Sequence, residues 1–172
     1  MNYAQIKNCD IANGEGVRVT LFVSGCKNRC EGCFQPQTWD FSYGEPFTEK
    51  TEQEIINMLS PDYIAGLTLL GGEPFEPENQ RGLVNFVEKI KNIYPQKNIW
   101  AFTGFTLEEL LQKEPRPRCE VTDKFLSLID VLVDGKFILS QKDIRLKFRG
   151  SKNQRLINLP ESLKTNTVVL WE

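Results

Sequence analysis

Histidine is absent from this sequence of 172 residues. Its absence removes the usual general base, the imidazole ligand of many metal sites, and any Ser-His or Cys-His nucleophile pair. Conventional hydrolase mechanisms are therefore disfavoured, and a metal site in this chain has to use other side chains.

An excess of charge of one sign and long apolar segments are also absent. The 21 basic and 23 acidic residues give a net charge of −2, which provides no overall field to attract nucleic acid or an anionic membrane. No segment approaches the ~20 apolar residues that span a bilayer, and Met1 to Lys7 carry no apolar signal core. We therefore expect a cytoplasmic protein that binds neither nucleic acid nor membrane.

The chain also lacks internal repeats and low-complexity linkers. With 40% hydrophobic residues it can bury one sizeable core, but it is short for two ordinary domains. We therefore predict a single domain over residues 1–172.

Strand and helix signals alternate along this domain. Capping boxes at Thr51 and Thr106 predict helix starts, the segment after Pro77 carries a helical apolar face from Leu83 to Ile93, and a short helix is expected near residues 123–128. The predicted strands are residues 17–24, 66–70, 98–102 and 131–133, with 168–171 as a possible last strand.

This alternation predicts a largely parallel sheet with helical crossovers, in which ligands gather at the carboxyl ends of the strands. A closed eight-unit barrel takes ~250 residues, so this chain should supply only about five or six βα units. The predicted fold class is therefore α/β, an open and partial TIM-like barrel whose open side requires a partner.

Three cysteines follow the first predicted strand within eight residues: Cys26, Cys30 and Cys33. A cubane cluster held by three thiolates leaves one iron open, and that iron can bind a substrate. The alternative is a structural zinc site, which would need Cys9 or Cys119 as its fourth ligand because histidine is absent. The spacing favours the open cluster, and Cys9 and Cys119 are then incidental thiols.

A second candidate site follows the strand over residues 66–70, at Gly71, Gly72, Glu73 and Pro74. The glycines would let a ligand approach the backbone closely, and a carboxylate or carbonyl oxygens would accept hydrogen bonds from an ammonium group. The same four residues also make an ordinary turn before a helix.

The cysteine spacing C-x3-C-x2-C and the Gly-Gly-Glu-Pro loop resemble the radical S-adenosylmethionine superfamily. More narrowly, the chain is similar to the glycyl-radical-enzyme activases, in the branch that serves the anaerobic ribonucleoside-triphosphate reductase. Many superfamily members have an aromatic residue before the third cysteine, whereas this chain has Gly32 there and Phe34 after Cys33, as that branch does. The other matching segments are residues 13–18, 100–105, 133–137 and 149–155.

The resemblance implies a [4Fe-4S] cluster on Cys26, Cys30 and Cys33 that binds and reductively cleaves S-adenosylmethionine. It implies cofactor contacts at Gly32, Cys33, Phe34, Gly71, Gly72, Glu73 and Pro74. Asp134 and Lys136 match a cofactor-binding Asp-x-Lys position, although a polar turn at a strand end explains them equally well. No catalytic side chain is required, because the cofactors supply the chemistry.

The expected product is a glycyl radical on the reductase, with a flavodoxin-type protein as electron donor. Two alternatives remain open at this point: a radical enzyme that acts on a small molecule such as a deazapurine precursor, and a non-catalytic zinc module. The basic segment over residues 136–155 is expected either to dock an acidic partner or to face solvent.

Overall fold

The computed structural model describes residues 1–112 and 117–171, and its centre is a seven-stranded sheet. The order across the sheet is β3-β1-β2-β4-β5-β6-β7. The strands are β1 (Asn2–Asp10), β2 (Val17–Val23), β3 (Glu45–Pro46), β4 (Ile64–Gly71), β5 (Asn98–Phe102), β6 (Val131–Asp134) and β7 (Arg155–Asn158).

The centre of the sheet is parallel and its flanks are antiparallel. Strands β2, β4, β5 and β6 run parallel to one another, whereas β1 pairs antiparallel with β2 and β7 pairs antiparallel with β6. The α/β class is confirmed. The described residues contain four parallel strands rather than the five or six expected units, because β1 and β7 flank them in the opposite direction.

The helices are α1 (Glu49–Met58), α2 (Pro77–Ile93), α3 (Leu107–Leu111), α4 (Thr122–Ser127) and α5 (Leu159–Thr165). Helix α2 buries Leu83, Phe86, Val87 and Ile90 as predicted, but Ile93 at its end is 46% exposed. Within the described residues, every helix is too short or too polar to cross a bilayer.

Two local predictions are wrong. Thr48, not Thr51, is the residue that caps α1, and Thr51 occupies the third helical position of the same capping box. The last predicted strand, residues 168–171, forms only an isolated bridge between Leu170 and Ile157. The capping box of Thr106 and Glu109 at the start of α3 is confirmed.

The two faces of the sheet bury different sets of side chains, because successive residues of a strand point to opposite faces. In β5, Ile99 and Ala101 belong to the main core, which the helices cover. Trp100 between them joins a second cluster, in which it packs edge-on against Phe148 and Trp171. Segments from the C-terminal third of the chain thus cover this second face beside the parallel strands.

Candidate active site

A cavity of about 590 Å³ opens at the carboxyl ends of β2, β4 and β5, where the predicted sheet should bind ligands. It brings together most of the residues singled out from the sequence: Cys26, Cys30, Cys33, Phe34, Gly71, Gly72 and Glu73. Four other predicted site residues do not line the cavity: Gly32, Pro74, Asp134 and Lys136. Gly32 and Pro74 are each next in sequence to a lining residue.

The cysteine loop leaves β2 and is fixed at its start by main-chain hydrogen bonds. The Gly25 N–H donates to the Thr38 carbonyl at 2.7 Å, and the Cys26 N–H donates to the Trp39 carbonyl at 3.2 Å. Gly32 has a φ of +77°, and a Cβ there would lie 2.9 Å from Leu139 Cδ1. Glycine before the third cysteine is thus explained by backbone conformation and close packing.

Burial opposes ionisation of two of the thiols. It raises the pKa of Cys26 to about 12, with a further contribution from the negative charge of Glu73. Burial also raises the pKa of Cys30, although the Phe137 N–H and the charge of Lys136 act in the opposite direction. A bound cationic metal centre would favour both thiolates, since metal ligands must be deprotonated.

The donor set at this cavity fits a cluster with three protein ligands better than a tetrahedral zinc ion. Cys9 is exposed on β1, and Cys119 contacts Gln80, so neither of them lines the cavity. In the part of the chain that the structure describes, no three Cys, Asp or Glu side chains are gathered tightly enough to form a ready-made metal cage. Cys26, Cys30 and Cys33 are thus the cysteines whose side chains could serve a cluster at this cavity.

The two glycines at the end of β4 bring this strand end against the end of β2 and the start of the cysteine loop. Gly71 has a φ of +106°, and a Cβ there would lie 2.6 Å from backbone atoms of Val23. A Cβ on Gly72 would lie 2.7 Å from the Gly25 carbonyl oxygen. The Gly72 N–H donates to the Val23 carbonyl at 2.8 Å. Both glycines are thus required by the close approach of this strand end to the backbone of Val23 and Gly25.

Glu73 is 1% exposed, and its carboxylate accepts hydrogen bonds from protein donors at both oxygens. Oε1 accepts from Asn28 Nδ2 at 3.0 Å and from the Gly104 N–H at 2.7 Å. Oε2 accepts from Thr103 Oγ1 at 2.8 Å and from the Phe75 N–H at 2.9 Å. Burial outweighs these bonds and raises the pKa of Glu73 to about 7. The carboxylate therefore ties the cysteine loop to the ends of β4 and β5 and leaves little acceptor capacity for a ligand.

Asp134 is 1% exposed; it forms a salt bridge and does not line the cavity. Its Oδ2 accepts from Arg155 Nη2 at 2.6 Å and from the Leu107 N–H at 2.8 Å, and its Oδ1 accepts from Arg155 Nε at 3.0 Å. The arrangement follows from the sheet, because Arg155 is the register partner of Asp134 in the antiparallel pair. Lys136 is exposed, and its charge favours the Cys30 thiolate.

Several residues of the site were not assigned a role from the sequence, although some of them lie in segments that match the family. Thr103 and Gly104 follow β5, so the rule that ligands gather at strand ends could have identified them. Phe137 lines the cavity and packs against Phe34 with ring centroids 5.1 Å apart. Asn28 lies within the cysteine loop, but nothing in its spacing indicates that it contacts Glu73.

Comparisons with known proteins identify proteins that are similar to this chain over most of its length. Residues 12–157 match the family model described as a 4Fe-4S single cluster domain. The anaerobic ribonucleoside-triphosphate reductase-activating protein of Haemophilus influenzae is 47% identical to this chain, over 90% of this chain and 96% of its own length. The protein of that name in Enterobacteria phage T4 is 42% identical, over 91% of this chain and 93% of its own length. The protein of that name in Escherichia coli is 44% identical over 90% of this chain and 96% of its own length.

Proposed function

The chain belongs to the family of anaerobic ribonucleoside-triphosphate reductase-activating proteins, and from this premise we propose that it generates a glycyl radical on that reductase. The observation that carries the proposal is a cavity with three cysteine thiols and no fourth cysteine in its wall. The small-molecule alternative finds no support among these relatives.

We propose that Cys26, Cys30 and Cys33 hold the [4Fe-4S] cluster and leave one iron free for S-adenosylmethionine. When bound, the cluster and S-adenosylmethionine would supply one-electron reductive chemistry, which would give methionine and 5′-deoxyadenosine as products and leave a glycyl radical on the reductase. The protein's residues position these groups and exclude water from them. No side-chain acid or base is needed, in agreement with a sequence that lacks histidine.

We propose that S-adenosylmethionine occupies the rest of the same cavity, whose volume of about 590 Å³ is typical of small-molecule sites. Phe34 is 66% exposed beside Cys33 and packs on Phe137, so this pair is suited to flank an adenine. Gly71 and Gly72 offer backbone close to the bound amino acid group, while Glu73 and Pro74 hold that loop in place.

The ion pair of Asp134 and Arg155 supports a positioning role for Asp134 at the end of β6 rather than direct contact with the cofactor. Lys136 contributes positive charge near Cys30. In our proposal the mixed sheet is a truncated radical S-adenosylmethionine barrel that forms one domain over residues 1–172. The proposed setting is the cytoplasm, where a flavodoxin-type protein would donate the electron, as the family resemblance suggests.

The test uses anaerobically reconstituted protein with S-adenosylmethionine, dithionite and the reductase from the same source. We expect a glycyl radical signal in the electron spin spectrum of the reductase and 5′-deoxyadenosine in proportion to it. A Cys33→Ala variant is the control and should give neither. Absence of a glycyl radical signal from the reductase, together with turnover of a small metabolite, would contradict the proposal.

A further inference from the structure

Basic charge is concentrated between residues 136 and 155 of a chain that is otherwise acidic. This segment contains seven of the 21 basic residues and one of the 23 acidic residues, so the rest of the chain has 14 basic against 22 acidic side chains. Charge of one sign gathered in one segment favours a partner of the opposite sign.

The middle of this segment forms a closed loop at the cavity mouth, residues 141–152, which we call the basic loop. Lys142 and Ser151 form an antiparallel bridge, and the Lys152 N–H donates to the Gln141 carbonyl at 3.0 Å. Phe148 anchors the loop on Trp100, with ring centroids 5.4 Å apart. These contacts restrain the loop, and a restrained loop loses less conformational entropy when it binds a partner.

Apolar side chains are exposed around the same mouth. Ile144 in the basic loop lines the cavity and is nevertheless 90% exposed. Phe34, also in the cavity wall, is 66% exposed, and Leu139 beside Gly32 is 44% exposed. Single exposed apolar residues are common, but a group of them at the rim of a cavity is typical of an interaction site.

Positive charge flanks this apolar group. Lys142 Nζ lies 5.3 Å from the centroid of the Phe34 ring. Arg145 is 84% exposed at its side chain and pairs only with Asp143 at 2.9 Å among the described carboxylates. Lys147 is exposed, and none of the described carboxylates lies within ion-pair distance of it. An acidic ligand segment would therefore meet Lys147, which has no partner among the described carboxylates, and the exposed side chain of Arg145, which is paired with Asp143 alone.

We propose that the basic loop docks an acidic, glycine-bearing segment of the reductase, with Ile144 as its apolar anchor. This inference rests on the proposed function. The segment that presents the target glycine has to pass the cavity mouth, whereas an electron donor does not have to enter the cavity. The basic loop lies at that mouth, so the reductase is the favoured occupant.

The experiment compares two double charge reversals in cluster-loaded protein. The loop variant combines Lys147→Glu with Lys152→Glu, two positions of the basic loop that do not line the cavity. The control variant combines Lys50→Glu with Lys164→Glu, which changes the net charge by the same amount at exposed lysines elsewhere. Affinity for the purified reductase is measured anaerobically over a range of salt concentrations. Cleavage of S-adenosylmethionine with dithionite is measured in the absence of the reductase.

We expect the loop variant to bind the reductase about tenfold more weakly than the parent, with a smaller dependence on salt, because exposed charge pairs contribute little individually but act together. Its cleavage of S-adenosylmethionine should stay at the parent level, and the Lys50 and Lys164 variant should match the parent in both assays. Ile144→Ser, which removes an exposed side chain without a packing role, should also weaken binding about tenfold.

Parent-level affinity of the loop variant and of Ile144→Ser for the reductase would overturn the docking proposal. So would a loop variant whose only defect is slower reduction by a flavodoxin-type donor, because that result assigns the loop to the donor. Failure of the proposed function looks different: the parent protein itself would cleave S-adenosylmethionine but leave the reductase without a radical.

Discussion

Asn28 in the cysteine loop donates a hydrogen bond of 3.0 Å to Oε1 of Glu73, 45 residues further along the chain. The same oxygen accepts from the Gly104 N–H, so the bond joins the proposed cluster loop to the ends of β4 and β5. A Cβ on Gly104 would clash with Asn28 Nδ2, which indicates how closely these segments approach.

Asn28→Ala should therefore loosen the cysteine loop. Loss of this hydrogen bond to the buried carboxylate of Glu73 is expected to lower the free energy of unfolding by about 1–2 kcal/mol. It should also weaken binding of S-adenosylmethionine, because the loops on either side of the cavity lose their connection. Denaturant unfolding of the cluster-free protein and equilibrium binding to the loaded protein measure these effects. Parent values in both would show that Asn28 has no positioning role.

Glu73 should make the stability of the cluster-free protein depend on pH. Burial raises the pKa of Glu73 to about 7, above its ordinary value of 4.5, so the folded state holds a proton that the unfolded state releases. Stability associated with this group is present below about pH 4.5 and is lost as the pH rises through 7. The loss should reach about 3 kcal/mol at most.

The control for this prediction is Glu73→Gln. The variant should be less stable than the parent at low pH, because its amide nitrogen faces N–H donors, but its stability should change less between pH 4.5 and 7. Denaturation midpoints at several pH values provide the measurement. Equal pH dependence in the two proteins would mean that folding leaves the pKa of Glu73 unchanged.

Asp134→Asn separates a structural role from a cofactor-binding role. The carboxylate is buried against Arg155, whose side chain is about one-third exposed, so loss of its charge should lower the free energy of unfolding by about 2–3 kcal/mol. Under conditions where the variant is folded, its affinity for S-adenosylmethionine should stay within about threefold of the parent, since that change is below 1 kcal/mol. A loss of affinity for S-adenosylmethionine without a loss of folding stability would instead support the cofactor contact that the sequence resemblance implies for Asp134.

Replacement of cysteines tests the ligand set directly. Cys9→Ser with Cys119→Ser should leave the iron content at ~four per chain after anaerobic reconstitution, because neither thiol lines the cavity. Cys33→Ser should lose most of the cluster. Metal analysis and absorbance measure both results, and loss of iron from the Cys9 and Cys119 variant would refute the assignment.

The sequence predicts the parallel core of this fold well, because buried strands carry strong local signals. The strand over residues 98–102 is found with the predicted bounds, and β4 extends the predicted strand by a few residues. Strand β1 was missed, since most of its residues are exposed or only partly buried and give no continuous apolar pattern. Strand β7 was missed as well, and with it the partner of Asp134.

The candidate site was predictable as a set of residues but not as a set of contacts. The cysteine spacing and the Gly71–Glu73 loop identify one cavity because both follow parallel strands. The enclosure of the Glu73 carboxylate depends on Asn28, Thr103 and Gly104, which come from three separate segments of the chain. Contacts between distant segments leave no periodic signal, so only the folded structure reveals them.

The measurement that tests the central claim most directly is the electron spin spectrum of the reduced, reconstituted protein with and without S-adenosylmethionine. A cluster held by Cys26, Cys30 and Cys33 has one iron without a protein ligand, so addition of the cofactor should change the signal. One equivalent of zinc, or an iron signal that does not respond to S-adenosylmethionine, would contradict the account.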